Sequence, residues 1–125
     1  MGFAHHASYY HWMEAARVDY MAKAGLKYSQ FEKLGFAMPV SEAGCKYLKP
    51  ASFEDELAIR LWISKLTDVS MRIEYEIVRL PEEVMIARGF TVHPVIDTNR
   101  KIVRMPPEIK AIFTPMLGKE GVLNG

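Results

Sequence analysis

The sequence predicts an α+β domain in which one long helix near the N-terminus covers a sheet of long antiparallel strands. Three observations predict it. From Ala7 to Ala24 the apolar residues Tyr9, Trp12, Met13, Ala16, Tyr20 and Ala24 recur three and four positions apart, which puts them on one stripe of a helix. After Gly35 the period changes from helical to alternating, the pattern of half-buried strands. The stretches between the alternating runs are short, which favours antiparallel meander connections. A sheet with one apolar face needs a cover, and the chain offers a single long helix for it.

Each element has its own signal. Gly25 supplies the left-handed position that commonly closes a helix. Ser29 followed by Glu32 has the spacing of a capping box and predicts a short helix over Ser29 to Leu34. Val40 to Lys49 alternates weakly, with Ala43, Cys45 and Tyr47 on one side and Glu42 and Lys46 on the other. Leu57, Ile59, Leu61 and Ile63 alternate with Ala58, Arg60, Trp62 and Ser64. Met71, Ile73, Tyr75 and Ile77 alternate with Arg72, Glu74 and Glu76, the clearest half-buried strand. Val84 to Ile96 is apolar on both faces, as a central strand is, with a bend or bulge expected at Gly89 and Pro94. Pro50 to Asp55, Thr67 to Ser70 and Leu80 to Glu83 are the predicted loops.

Composition narrows the function classes. A chain of 125 residues suits one domain, 1–125, without internal repeats or linkers. The formal net charge of +1 argues against a nucleic-acid footprint. Cys45 is the single cysteine, so no internal disulfide forms, which fits a reducing cytoplasmic setting. No apolar run is long enough for a membrane span and the N-terminus lacks a signal-peptide pattern.

Residues 2–17 read Gly-Phe-Ala-His-His-Ala-Ser-Tyr-Tyr-His-Trp-Met-Glu-Ala-Ala-Arg. This run resembles the signature of the 4-hydroxybenzoyl-CoA thioesterase-like family, approximately Asp-x-x-Gly-x-x-x-His-x-Asn-Tyr-x-x-Trp/Phe-x-Glu-x-x-Arg. Gly2, His6, Tyr9, Trp12, Glu14 and Arg17 match it, and the resemblance continues more loosely through Val92 to Met105 and Pro106. Ser8 stands where the signature has Asn. The signature's Asp falls two residues before Met1, and the edge strand that precedes it in the family also falls outside this sequence. The resemblance implies a hot-dog fold, an antiparallel sheet wrapped around one long helix, here lacking its first edge strand. It implies an acyl-CoA thioesterase, a hydrolase giving a free acid and coenzyme A, with no cofactor and no metal. It also implies a homodimer or homotetramer with sites at the subunit boundary. We expect Met1 to be an internal start, preceded in the natural protein by a strand ending in Asp-x-Met-Gly.

The motif suits thioester chemistry. A helix start offers unpaired backbone N–H groups and partial positive charge to a developing oxyanion. By resemblance, the N–H of His6 or its neighbours points at the thioester oxygen, and Gly2 lets the chain pass close to the substrate. Tyr9 packs in the core or lines an acyl pocket. Glu14 is either a helix-borne catalytic carboxylate or the partner of Arg17 in an i,i+3 ion pair. His5, His6 and His11 with Glu14 do not make a convincing metal site, since three or four converging ligands are needed. Arg100, Lys101 and Arg104 form the densest basic cluster and are candidates for coenzyme A phosphates or members of a solvated turn, and Arg88 is a further phosphate candidate. A non-catalytic acyl-CoA binding module is the alternative, because the signature's Asp is not in the sequence.

Overall fold

A computed structural model describes residues 6–52 and 54–124. The first helix, α1 (His6–Lys23), follows the predicted stripe: Tyr9, Met13, Ala16 and Tyr20 are buried and Trp12 is half-buried. Gly25, at φ +86°, takes the left-handed position after it. The short helix α2 (Tyr28–Lys33) begins one residue ahead of expectation. Its start is capped by Gln30 rather than by Ser29 and Glu32: the Gln30 Oε1 accepts the Lys27 backbone N–H at 2.9 Å. A side-chain acceptor three residues past the cap performs the same task, and the sequence offers two overlapping pairs for it.

The strands are β1 (Phe36–Ala37), β2 (Glu42–Tyr47), β3 (Leu57–Leu66), β4 (Ser70–Arg79), β5 (Val84–Pro94) and β6 (Ile96–Asp97). A third helix, α3 (Pro107–Phe113), runs into a 3-10 turn over Thr114–Met116, and β7 (Gly121–Asn124) follows. The main sheet has the order β2-β5-β4-β3-β7, all antiparallel, and β1 pairs with β6 in a separate two-stranded ribbon. The meander holds for β3, β4 and β5 only. The Pro50–Asp55 stretch joins strands that are not neighbours, because β2 lies beyond β5 at one edge and β3 lies towards the other.

Gly89 does not interrupt β5: it pairs in register with Tyr75 on one side and Cys45 on the other. The bulge lies at Ile86 instead, where the β4–β5 register shifts between Ile77↔Ala87 and Val78↔Met85. The Ile86 carbonyl takes the N–H groups of Leu48 and Lys49, at 2.9 and 3.2 Å, so the extra residue serves the far end of β2. At Pro94 the chain does leave the main sheet, to form β6 against β1.

The helix crosses the strands. Tyr9 stacks on Tyr47 of β2, Met13 sits over Gly89 of β5, and Tyr20 lies over Gly121 of β7. A Cβ on Gly89 would come within 2.8 Å of Met13 Sδ and 2.7 Å of the Gly44 carbonyl. A Cβ on Gly121 would run into the Tyr20 ring. Five strands span about 19 Å between the outermost pair, and an 18-residue helix is about 27 Å long, so one helix reaches across the whole sheet. The core between them is Met13, Ala16, Leu61, Ile63, Ile73, Tyr75 and Ile77, closed at one side by Phe113 of α3.

Candidate active site

The start of α1 lies above the β2 edge. No acidic residue stands in its first turn, so the positive end of the helix is not neutralised from within. His6 opens the helix, and Gly2 lies outside the described residues. One turn on, Tyr9 is buried, with its ring centroid 5.3 Å from Trp12 and 5.0 Å from Tyr47. These three rings make an aromatic wall beside the helix start. Burial raises the Tyr9 phenol above its ordinary pKa, and the Cys45 thiol and Asp55 carboxylate add to the effect. Burial likewise raises the Cys45 thiol, against a hydrogen bond with Tyr47 that lowers it. Cys45 is therefore a protonated wall group rather than a thiolate nucleophile.

Glu14 is exposed and lies eight residues beyond His6, about 12 Å along the helix axis. Among the described residues it forms no ion pair with Arg17, contrary to the i,i+3 expectation. Arg17 is half-buried, and its charge acts on both the Tyr75 hydroxyl and the His93 ring. A chain of hydrogen bonds starts there. Tyr75 Oη and Thr91 Oγ1 are 2.7 Å apart, Thr91 Oγ1 and His93 Nε2 are 2.8 Å apart, and His93 Nδ1 is 3.2 Å from the Met38 carbonyl. Burial, then Arg17, lowers the His93 pKa to about 4, so the ring is neutral near pH 7. A carbonyl only accepts, so Nδ1 carries the proton and Nε2 accepts from Thr91. Tyr75 in turn donates to Thr91.

The basic candidates are not brought to one place. Arg88 is exposed on the outer face of the sheet, directly opposite Lys46 in the β2–β5 register. Arg100 and Lys101 sit in the tight turn after β6, where the Asp97 carboxylate accepts the Lys101 N–H at 3.0 Å and Arg100 takes φ +62°. Arg104 is 3.9 Å from the Asp68 carboxylate, which Lys110 also contacts. Sequence reasoning missed Lys46, Tyr75, Thr91 and Asp55. The signal for the buried chain was present: Thr91 and His93 are two polar residues at alternate positions in the mostly apolar second half of a central strand. Among the described residues no helix is long and apolar enough to cross a membrane.

A single long helix laid across a five-stranded antiparallel sheet, with an aromatic wall at the helix start, defines a hot-dog domain of the thioesterase type. The chain belongs to the Thioesterase-like superfamily, whose family model matches residues 1–113. The crystal structure of the hypothetical protein TT1821 from Thermus thermophilus superposes with a TM-score of 0.83 at 33% identity, covering 93% of this chain and 88% of that one. DHNA-CoA thioesterase from Staphylococcus aureus also gives a TM-score of 0.83, at 26% identity over 92% of this chain and 79% of that one. The acyl-CoA thioesterase YbgC of Haemophilus influenzae is 26% identical over 116 residues, 90% of this chain and 82% of its own length.

Proposed function

We propose that this chain is an acyl-CoA thioesterase, adding water to a thioester carbonyl and releasing a free acid and coenzyme A. The observation that carries the reading is the start of α1: an acid-free first turn beside the Tyr9–Trp12–Tyr47 wall, within the family's motif. Backbone N–H groups of that turn, His6 among them, hold the carbonyl oxygen as it gains negative charge. Water attacks the carbonyl carbon, the C–S bond breaks, and the sulfur leaves with a proton as the coenzyme A thiol. A carboxylate that activates this water must lie within a hydrogen bond, or one bridging water, of the reacting atoms. Glu14, about 12 Å down the same helix, takes no part in the step in this reading. In the family signature the carboxylate stands three residues ahead of the position that Gly2 matches.

Arg88 and Lys46 are the phosphate contacts we assign. The two cations stand directly opposite each other on the outer face, with Glu76 of β4 on the other side of Arg88, and a phosphate placed at the Lys46 side is held by both donors. Arg100 and Lys101, in the turn after β6, form a separate basic group, and Arg104 is engaged by Asp68. We further propose a homodimer through β2. Among the described residues β2 is an edge strand of the main sheet, with the exposed Val40 and Leu48 beside it, an arrangement that invites a second strand.

A second reading, a non-catalytic acyl-CoA binding module, is favoured by one observation. Asp55, whose charge reaches Tyr9, is occupied by the Ser52 N–H at 2.8 Å and by Arg79 at 3.8 Å. Free-thiol release from short, long and aryl acyl-CoAs separates the two readings. The thioesterase releases thiol from at least one of them above the uncatalysed rate. His6→Pro, which removes one N–H at a helix position that tolerates proline, then lowers the rate about a hundred- to a thousandfold. Tight binding of every acyl-CoA without release establishes the binding module instead.

A further inference from the structure

The second half of α1 flanks a cavity of about 430 Å³ that the chemistry at the helix start does not use. It lies between α1, α2 and α3, and its body is apolar, with Val18 and Met21 on one wall and Phe31, Met38 and Phe113 on the others. The volume is at the small end of ligand pockets, which run roughly 300–1,000 Å³. Its polar features are few and unequal in kind. His93 reaches the cavity, but both of its ring nitrogens are already engaged, one by Thr91 and one by the Met38 carbonyl. The histidine therefore offers a ligand ring surface and no free donor or acceptor. Arg17 differs. Its guanidinium has five N–H donors in a fixed fork, and it lines the cavity close enough to Tyr75 and His93 for its charge to act on both. Among the described residues no carboxylate pairs with it. Glu14 and Lys27 complete the rim, so the three charged side chains lining the cavity sum to one positive charge.

We propose that this cavity binds an amphiphilic monocarboxylate, with its carboxylate on the Arg17 fork and its apolar body between Met21, Phe31 and Phe113. The chemistry of the walls selects against the alternatives. A polar ligand would leave its groups unpaired on the apolar surfaces, at a cost that scales with each buried group. A cation would meet net positive charge at the rim. A neutral amphiphile would leave the guanidinium without the anion that its planar fork fits best. Free acids with an apolar body are also what thioester hydrolysis releases, so the site is suited to sensing product, but binding there does not require the chain to hydrolyse anything.

Titration calorimetry on the full chain tests the proposal with decanoate and, as its uncharged counterpart, decan-1-ol. Decanoate is expected to bind one site per chain, with decan-1-ol weaker by about tenfold or more, the effect of losing one charge-assisted pair. Arg17→Met should bring decanoate down to the affinity of decan-1-ol. Because Arg17 also meets Tyr75, a second variant keeps the test independent of folding. Val18 is 57% exposed, and Val18→Trp should block the cavity mouth and abolish binding of both probes while circular dichroism and thermal melting stay near those of the parent. No heat from decanoate at millimolar concentration overturns the proposal. So does equal binding of the two probes, and so does decanoate binding that survives both Val18→Trp and Arg17→Met. Thiol release is measured on the same samples: a chain that binds decanoate but releases no thiol refutes the hydrolase reading and leaves this site standing.

Discussion

Two polar clusters on opposite faces of the same sheet behave differently, although β4 contributes to both: β4 and β5 build the inner one, and β3, β4 and the residues just before β5 and β7 build the outer one. Under α1, Tyr75, Thr91 and His93 form a line of contacts at 2.7, 2.8 and 3.2 Å, and each donor in it has one acceptor. On the outer face Arg60 stands among Glu76, Glu83 and Glu120 at 3.8, 3.4 and 3.8 Å. Its Nε is buried, yet no acceptor lies within hydrogen-bond distance of it. The inner line uses neutral groups in fixed order where water is excluded, so losing one member strands its neighbours. The outer group uses charges that are partly exposed, Arg60 and Glu76 by about a quarter and Glu83 and Glu120 by about half, so its pairs are long and partly screened by water and salt. Short, ordered hydrogen bonds are required where the helix covers the sheet. Where solvent reaches it, loose ion pairs suffice.

The largest effect expected from this difference is on the pH dependence of stability. His93 is held near pKa 4 in the folded chain and returns to about 6.5 when unfolded, so the unfolded state binds the extra proton between those values. The stability that depends on a neutral His93 is complete above about pH 6.5 and is lost as pH falls towards 4. It amounts to about 3 kcal/mol. Urea denaturation from pH 7.5 to 4.5 measures it, and His93→Gln should flatten that part of the curve. A parent curve already flat across the window refutes the buried neutral assignment.

Thr91→Val comes next. The swap preserves shape but leaves the Tyr75 hydroxyl without its acceptor and the His93 Nε2 without its donor, for a loss of about 2 kcal/mol. A change below half of that, measured at pH 7.5, means that water replaces the hydroxyl and that the line is not sealed. On the other face, Arg60→Met should shift stability by no more than about 1 kcal/mol, and its effect should shrink at high salt. A loss as large as that of Thr91→Val would erase the contrast between the faces. Smallest of all is Glu14→Gln. Without an ion pair to Arg17 it should change stability by only a few tenths of a kcal/mol, the scale of exposed helix pairs, and leave thiol release within a fewfold of the parent. A thousandfold fall in release with an unchanged melt would make Glu14 the catalytic carboxylate.

Much of the architecture was legible because burial imposes a period on the chain. The α1 stripe through Tyr9, Met13, Ala16 and Tyr20, and the alternation of Met71, Ile73, Tyr75 and Ile77, are written residue by residue. The short elements were not. β7 has four residues and β1 and β6 two each, too few for a period to show, and α3 carries only Ile109 and Phe113 on its buried face. Strand order was hidden for another reason. The partner of β2 is β5, some forty residues away in sequence, and a local pattern carries no record of which edge a crossing loop reaches. Gly89 illustrates the limit: its place in a strand suggested a bulge, but a Cβ there would run into the Gly44 carbonyl of the neighbouring strand and the Met13 side chain of the covering helix.

The candidate site divides in the same way. The motif from Gly2 to Arg17 identified the helix start and its family from sequence alone, because those residue types at that spacing are contiguous. Whether Arg17 faces Glu14 or Tyr75, and whether Arg88 stands near Arg100 or opposite Lys46, depends on which strands lie beneath and beside them. The sequence by itself determined the helix, the long strands and the aromatic positions at the helix start, since each follows from spacing within a few residues. Only the tertiary structure decided the partners of the charged and polar side chains, because a guanidinium or a hydroxyl takes the nearest acceptor in space, and packing sets which one that is.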